Sequence, residues 1–318
     1  MKSAAYFFRR IVIALLQLFI VASILFLVLR FMEGDPVLLA LGSDKVDNAA
    51  VELVREQLGL NRPLWDQYTD WIKSLCMLDF GESISLKMPV NQLIFERFPR
   101  TLELALVAIV LASLMGIFTG TISALKQGKA TDLAVTSAST VGVSLPVYVL
   151  GTLLIYIFSL QFRLLPSSGY ISAFEDIAEH IRRLILPAFT LALGLAASIS
   201  RMTRSSMLEV LHKDFVGTLR AKGLSNRGVV FKHVFRNALI PIITVIGLQL
   251  GNLIGGMVLV ENLFAWPGIS SLLIQSINYR DYPLIQGCTM VVAAFFIFVN
   301  MVIDIVYALL DPRIRSGR

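Results

Sequence analysis

Charged residues are scarce in this sequence. Asp, Glu, Lys and Arg make up 16% of the 318 residues, where a soluble domain carries about 25%. Hydrophobic residues reach 56% and the mean hydropathy is +0.74. That balance excludes an ordinary soluble chain and points to a membrane protein. There are only two cysteines, Cys76 in a polar stretch and Cys288 in an apolar one, so no disulfide framework or cysteine metal site is written here. The three histidines, His180, His212 and His233, fall in stretches read as loops and do not cluster, which excludes a metal centre inside the spans. No G-x-x-x-x-G-K-[ST] occurs, so the chain does not cradle nucleotide phosphates by that route. H-E-x-x-H and G-x-S-x-G are missing too, and no catalytic residue is assigned. The first apolar run, Ile11–Leu29, is too long for a secretory h-region and "RFMEGDP" follows it instead of a cleavage motif, so it reads as a retained span.

What is present is a series of stretches near the ~20 residues that cross a bilayer as helix. Six are expected, at about 11–30, 103–125, 134–160, 184–206, 239–260 and 285–309, the fourth carrying Pro187 and many small residues. With the N-terminus in the cytoplasm, residues 1–10, 126–133, 201–238 and 310–318 hold 16 of the 28 Lys and Arg but four of the 22 acids. This agrees with the positive-inside rule and puts both termini in the cytoplasm. The net charge of +6 is therefore a matter of membrane side and gives no reason to expect nucleic acid. Residues 31–102 form a long outside segment. Within it "DNAAVELVREQLGL" predicts an amphipathic helix from about Asp47 to Gly59, and "PLWDQYTDWIKSL" a second. "SAFEDIAEHIRRLILP" predicts a short interfacial helix ahead of the fourth span.

The long cytoplasmic loop is strongly basic. "LRAKGLSNRGVVFKHVFRNALIP" (219–241) has five Lys and Arg, two glycines and no acid. "MLEVLHKDFVGTLRAKGL" spaces apolar residues at 207, 208, 211, 215, 216 and 219 as one helix. Gly223 is a C′ residue by position and Ser225 an N-cap for a second helix that runs into a span at Pro241. A topology signal needs loose cations only. A helix pair with apolar residues needs a cover, either a cytoplasmic protein partner or anionic lipid.

The residues 214–224, "DFVGTLRAKGL", and 236–241, "RNALIP", resemble the EAA loop of ABC importer permeases of the dipeptide, oligopeptide and nickel group. Gly217 and Leu219 depart from that group's usual residues, and the letters E-A-A themselves are absent. "LGLNRPLWDQY", "LDFGES", "ERFPRTLELAL", "GVSLPVY", "LLPSSGY", "ENLFAWPGI", "RDYPLIQG" and "ALLDPRIR" resemble the same group in the same order, across nearly the whole chain. The resemblance implies an all-α polytopic membrane protein with six transmembrane helices of the type I importer permease fold. Its parts would be an N-terminal helix (1–30), an extracytoplasmic segment (31–102), a five-helix core (103–310) containing the coupling loop (207–241), and a tail (311–318). It implies a bacterial or archaeal cytoplasmic membrane and a second permease subunit. It also implies two ATPase subunits that carry the ATP and Mg, an extracytoplasmic binding protein, and no cofactor on this chain. Asp214, Phe215, Thr218, Arg220, Lys222, Gly223, Leu224, Arg236 and Asn237 would form the ATPase-coupling loop.

In the fifth span Gly247, Gly251 and Gly255 repeat every four residues, which suits close helix packing. Gln249, Asn252, Gly251 and Gly255 are equally candidates for a translocation path. Asn300 and Asp304 share a face of the sixth span. An intramembrane acid is a functional candidate, but Asp304 lies near the helix end, where a structural ion pair suffices. An ion-coupled secondary transporter is the competing class; it needs a midplane coupling acid or broken helices, and only Asp304 is offered. Peptide and nickel cargo remain open together.

Overall fold

The structure is a computed structural model that describes residues 2–31, 52, 55–56, 59 and 61–310; the side chains of 2–7, 252, 254, 304 and 306–310 lie outside it. The described residues are helical, apart from turns and one isolated antiparallel bridge between Glu82 and Pro89. Helix α1 is Lys2–Phe31, α2 Leu64–Cys76 and α3 Val90–Leu125. Helix α4 is Ala130–Ser144. Helix α5, Val147–Leu154, continues as a π segment, Ile155–Gln161. Helix α6 is Ile177–Leu211 and α7 Asp214–Ala221. A single turn, Asn226–Gly228, and a π segment, Val229–Val234, lead into α8, Phe235–Leu263. Helices α9 and α10 are Ile269–Asn278 and Tyr282–Leu310.

Among the described residues five helices are long and apolar enough to cross a membrane, and the bent pair α4–α5 brings the number to six if it is counted as one span. The segment expected as the third span, about 134–160, turns through 108° between α4 and α5. The cause is written as "LP": Leu145 precedes Pro146, is driven out of the helical region, and sits extended at ψ 129°. The other spans are longer than expected. Helix α3 begins at Val90 and runs through Pro99, so residues 90–102 are helix continuous with the second span. The short interfacial helix and the fourth span are one helix, α6, running through Pro187. Asp176 sets its start by accepting hydrogen bonds from the Ala178 and Glu179 amides at 2.9 and 3.1 Å. Of the expected helix near 47–59, Glu52, Arg55 and Glu56 are helical and Gly59 has φ +63°; the remainder, like the tail 311–318, lies outside the described residues.

Two compact units divide the chain. The first comprises Met1–Thr101 and Pro267–Met301. Here Val90, Leu93 and Ile94 of α3 pack on Ile269 and Leu272 of α9 and on Leu284 and Cys288 of α10. Ala22 and Phe26 of α1 meet Trp71 of α2 and Met290. Asp281, fully buried, ties the turn before α3 to the start of α10. Its carboxylate accepts hydrogen bonds from the Ser83 and Ser85 hydroxyls (2.6 and 2.7 Å), the Ser85 amide (2.9 Å) and the Leu284 amide (3.2 Å). A buried carboxylate requires such a set of donors.

The second unit, Leu102–Trp266 and Val302–Arg318, is organised around α6. That helix presents Ala192, Ala196, Ala197, Ser200 and Thr203, all buried. Opposite them on α3 stand Gly116 and Gly120. A Cβ on Gly116 would lie 2.7 Å from Ile199 Cβ and 2.8 Å from the Ala196 carbonyl oxygen; one on Gly120 would strike the Ser200 carbonyl oxygen. Only glycine permits this approach, and Thr119 adds a hydrogen bond to Ser200 Oγ at 3.0 Å. Gly120→Leu is expected to destabilise the protein by about 1–3 kcal/mol through overpacking, read as a lower Tm in detergent. Gly255→Ala, where a Cβ would meet nothing within 4 Å, should leave Tm unchanged or slightly raised.

Candidate functional site

The basic loop begins where α6 ends. The helix predicted across 207–222 is broken: α6 stops at Leu211, His212 caps it, and α7 starts at Asp214. Lys213, extended at φ −75°, ψ 142°, makes the corner. The end of α7 agrees with its sequence. Gly223 has φ +81°, the Gly223 amide donates to the Arg220 carbonyl (2.9 Å) and the Leu224 amide to the Leu219 carbonyl (3.3 Å). This is the six-to-one and five-to-two pattern of a Schellman cap. Ser225 then accepts from the Gly228 amide at 3.2 Å, as an N-cap does.

The apolar residues of the loop divide into two sets. Val216, Val229, Val230 and Val234 are buried with Met207 and Val210, so most of the helix pair is covered by its own chain. Phe215, Leu224 and Phe231 remain exposed, at 37, 38 and 61%. Around them the side chains of Asp214, Thr218, Arg220 and Lys222 are solvent-facing, as is Gly223. Gly217 is exposed with open space where a side chain would be, so its departure from the usual residue strains nothing in this chain. Arg236 and Asn237 are exposed one turn beyond, and Asn237 Nδ2 donates to the His233 carbonyl at 2.7 Å. The exposure of Phe231 is not marked in the sequence, because "VVFKHVF" sets it among four apolar neighbours.

Behind the loop lies an ion pair that the charge count alone could not locate. Arg204 of α6 donates to both oxygens of Asp132 at the start of α4, Nε at 2.7 Å and Nη2 at 2.8 Å. Asp132 also accepts from the Ser123 hydroxyl and from the Gly128 amide at 3.0 Å. The α3–α4 turn is thereby fastened to α6.

At the other end of α6, His180 is buried and helical, which corrects its reading as a loop residue. One ring nitrogen pairs with the Ile171 carbonyl and the other with Glu103, each at 2.7 Å. Tyr170 stands edge-on to both His180 and Trp266, with centroids 5.8 and 4.9 Å away. The Gly169 amide donates to the Phe264 carbonyl at 2.8 Å. "LLPSSGY" and "ENLFAW" thus meet in one cluster of the second unit. "AWPGI" is a sharp turn, with Ala265 at φ +50°, followed by the ten-residue helix α9.

The remaining candidates separate by face. Gly247 is buried against Ile303 (3.0 Å from a built Cβ), a packing position. Gln249 and Gly251 are half-buried and Gly255 is exposed, so the stripe does not act as one surface. The bend at Leu145–Val147 with Gly194 of α6 and Leu253 and Gly256 of α8 encloses a cavity of about 190 Å3 on that side of α8. Asn300 Nδ2 is spent on the Phe296 carbonyl at 2.9 Å. The side chains of Asn252 and Asp304 lie outside the described residues. Among the described residues no group of His, Cys, Asp and Glu could hold a metal ion.

Lipid-length helices joined to a capped basic helix pair define a membrane-embedded protein. Comparison with known proteins identifies it further. Residues 97–316 match the family of binding-protein-dependent transport system inner membrane components, and residues 4–105 match the N-terminal family of the same membrane components. The chain belongs to this family of ABC importer permeases. It is 41% identical to the di/tripeptide transport system permease protein DppB of Pseudomonas aeruginosa over 98% of both chains. It is 39% identical to the glutathione transport system permease protein GsiC of Escherichia coli, again over 98% of both. The fold is similar to that of the MetNI methionine ABC transporter in its inward-facing form (TM-score 0.56, 16% identity, 70% of this chain and 97% of that one). It is also similar to that of an amino acid ABC transporter (TM-score 0.51, 18% identity, 70% and 94%).

Asp132→Ala is expected to lower Tm and to speed tryptic cleavage after Lys126 or Lys129, since the turn would lose its attachment to α6. Unchanged digestion kinetics would show that the pair holds nothing.

Proposed function

We propose that this chain forms half of the translocation path of an ATP-driven importer of short peptides, paired with a second permease subunit. The observation that carries this reading is the capped helix pair: a rigid element with its own core beneath and Phe215, Leu224 and Phe231 left uncovered above. Three exposed aromatic and aliphatic anchors among ordered charges suit a protein groove. In this reading Asp214, Thr218, Arg220, Lys222, Arg236 and Asn237 orient the loop on a cytoplasmic ATPase subunit, one of two, which carries the ATP and Mg. Both termini are cytoplasmic, and a binding protein delivers cargo from outside. Gln249, Gly251, Asn252 and Gly255 of α8 are the candidates for the path. An ion-coupled mechanism has less support, because it offers no device that explains the helix pair.

Short peptides are the favoured cargo because the similar permeases are named for di- and tripeptides and for glutathione. Nickel or a metal chelate is the alternative, and uptake decides between them. A strain lacking this chain should lose di- or tripeptide uptake and keep nickel uptake; the opposite result reassigns the cargo. For coupling, Gly223→Val forces a β-branched residue to φ +81°, at a cost of about 1–3 kcal/mol. We expect the reconstituted complex to retain its subunits in reduced amount and to lose most ATP-dependent import. Wild-type coupling in that variant, or in Phe215→Ala with Phe231→Ala, would sink the docking assignment.

A further inference from the structure

The first unit contains a polar cavity of about 420 Å3 that the transport reading does not use. It lies beside Arg30, near the end of α1 away from Arg9 and Arg10 and within the last turn of the apolar stretch Phe8–Phe31. Its walls include Arg30, Trp71, Asp79, Glu82 and Gln286. Trp71 is 9% exposed, held by Ala22, Phe26 and Met290, yet its indole Nε1 has no hydrogen-bond partner. Arg30 Nε, on the same cavity, is buried and has none either. Two buried donors left unmatched on one wall are costly, at about 1–3 kcal/mol each, unless something accepts from them. The neighbouring cation Arg62 is already paired with Asp70 at 2.6 Å, which leaves Arg30 as the cation of the site.

The other wall is acidic. Asp79 spends one oxygen on the Gly81 amide (2.9 Å), and Glu82 is exposed. The cavity therefore pairs a donor wall with an acceptor wall, a match for a zwitterion. Phe80 lines it and also lines a second, almost wholly apolar groove of about 570 Å3. That groove runs among Leu15 and Phe19 of α1, Leu75 of α2, Phe95 of α3 and Val291 of α10. From Arg30 back to Phe19 and Leu15, α1 covers roughly 17–22 Å at 1.5 Å per residue, the reach of an acyl chain. A headgroup-sized polar cavity at a span's end, beside an acyl-length apolar groove, is the arrangement of a lipid at the interface, where Trp and Arg are the usual anchors.

We propose that this unit binds one zwitterionic phospholipid, its phosphate on Arg30 and Trp71 Nε1, its ammonium toward Asp79 and Glu82, and an acyl chain in the groove past Phe80. The site is independent of what the complex transports. The test is native mass spectrometry of the purified importer complex after delipidation, titrated with phosphatidylethanolamine or phosphatidylglycerol. Wild type is expected to retain one phosphatidylethanolamine per copy of this chain. Trp71→Phe, which removes the N–H and keeps an aromatic ring, should weaken retention about tenfold, and Arg30→Gln at least as much. Glu82→Gln leaves both donors and should shift preference toward phosphatidylglycerol, a change that misfolding does not produce. Equal retention in all three variants overturns the proposal. So does displacement of the lipid by a dipeptide or tripeptide, which would hand the cavity to cargo, or by an added binding protein, which would make it a docking surface.

Discussion

The close approach of α3 to α6 is the constraint on which the second unit depends. Between helices in lipid there is little hydrophobic drive, so association must come from contact area and from hydrogen bonds at short range. Gly116 and Gly120 supply the contact by removing side chains where Ala196 and Ser200 present backbone. Once these two helices touch, α6 is fixed, and α4 and α8 pack on what remains of its surface. Gly142 of α4 brings its position within 3.3 Å of Ala197 Cβ and Gly256 of α8 within 3.3 Å of a Leu191 methyl, each measured from a built Cβ. The same helix holds a charged fastening at Arg204 and a buried imidazole at His180, one near each end. Position along α6 therefore decides which loop each side chain secures.

The basic loop illustrates how such a protein makes a rigid element outside the bilayer. Its helices are short, and short helices are marginal alone. Stability comes from two caps and from a small core of valines, which leaves the outward face free to carry larger apolar groups. Gly223 matters because the chain must reverse in one residue; a longer turn would separate Val216 from Val229.

Much of this was legible in the sequence. The six apolar stretches, the Gly223 reversal, the Ser225 cap and the helix ending near Cys76 are local signals, carried by periodicity and by residues with special backbone preferences. What was hidden has a common cause: it depends on a partner distant in sequence. Pro99 and Pro187 lie inside α3 and α6, because neighbouring helices support the freed backbone groups. Pro146, with the same chemistry, does break its helix. Nothing local distinguishes the three. Gly116 and Gly120 were overlooked in favour of Gly247, Gly251 and Gly255, although both sets share the four-residue spacing; only the position of α6 shows which pair carries a crossing. His180 read as a loop residue because the helix around it continues from an Asp176 cap that had been assigned to a separate segment.

The run from Asn226 to Leu263 has mechanical consequences. Its 38 residues form one uninterrupted helical rod, roughly 55 Å long at 1.5 Å per residue. At its far end the Phe264 carbonyl is gripped by the Gly169 amide. Phe231 near one end of this run and the Phe264 carbonyl at the other are therefore joined by continuous helix. The rod has one soft point. Pro241 cannot donate to the Asn237 carbonyl, so the first third can flex against the rest. Such a member is a long lever with a single wrist, jointed nearer the end that carries the basic loop.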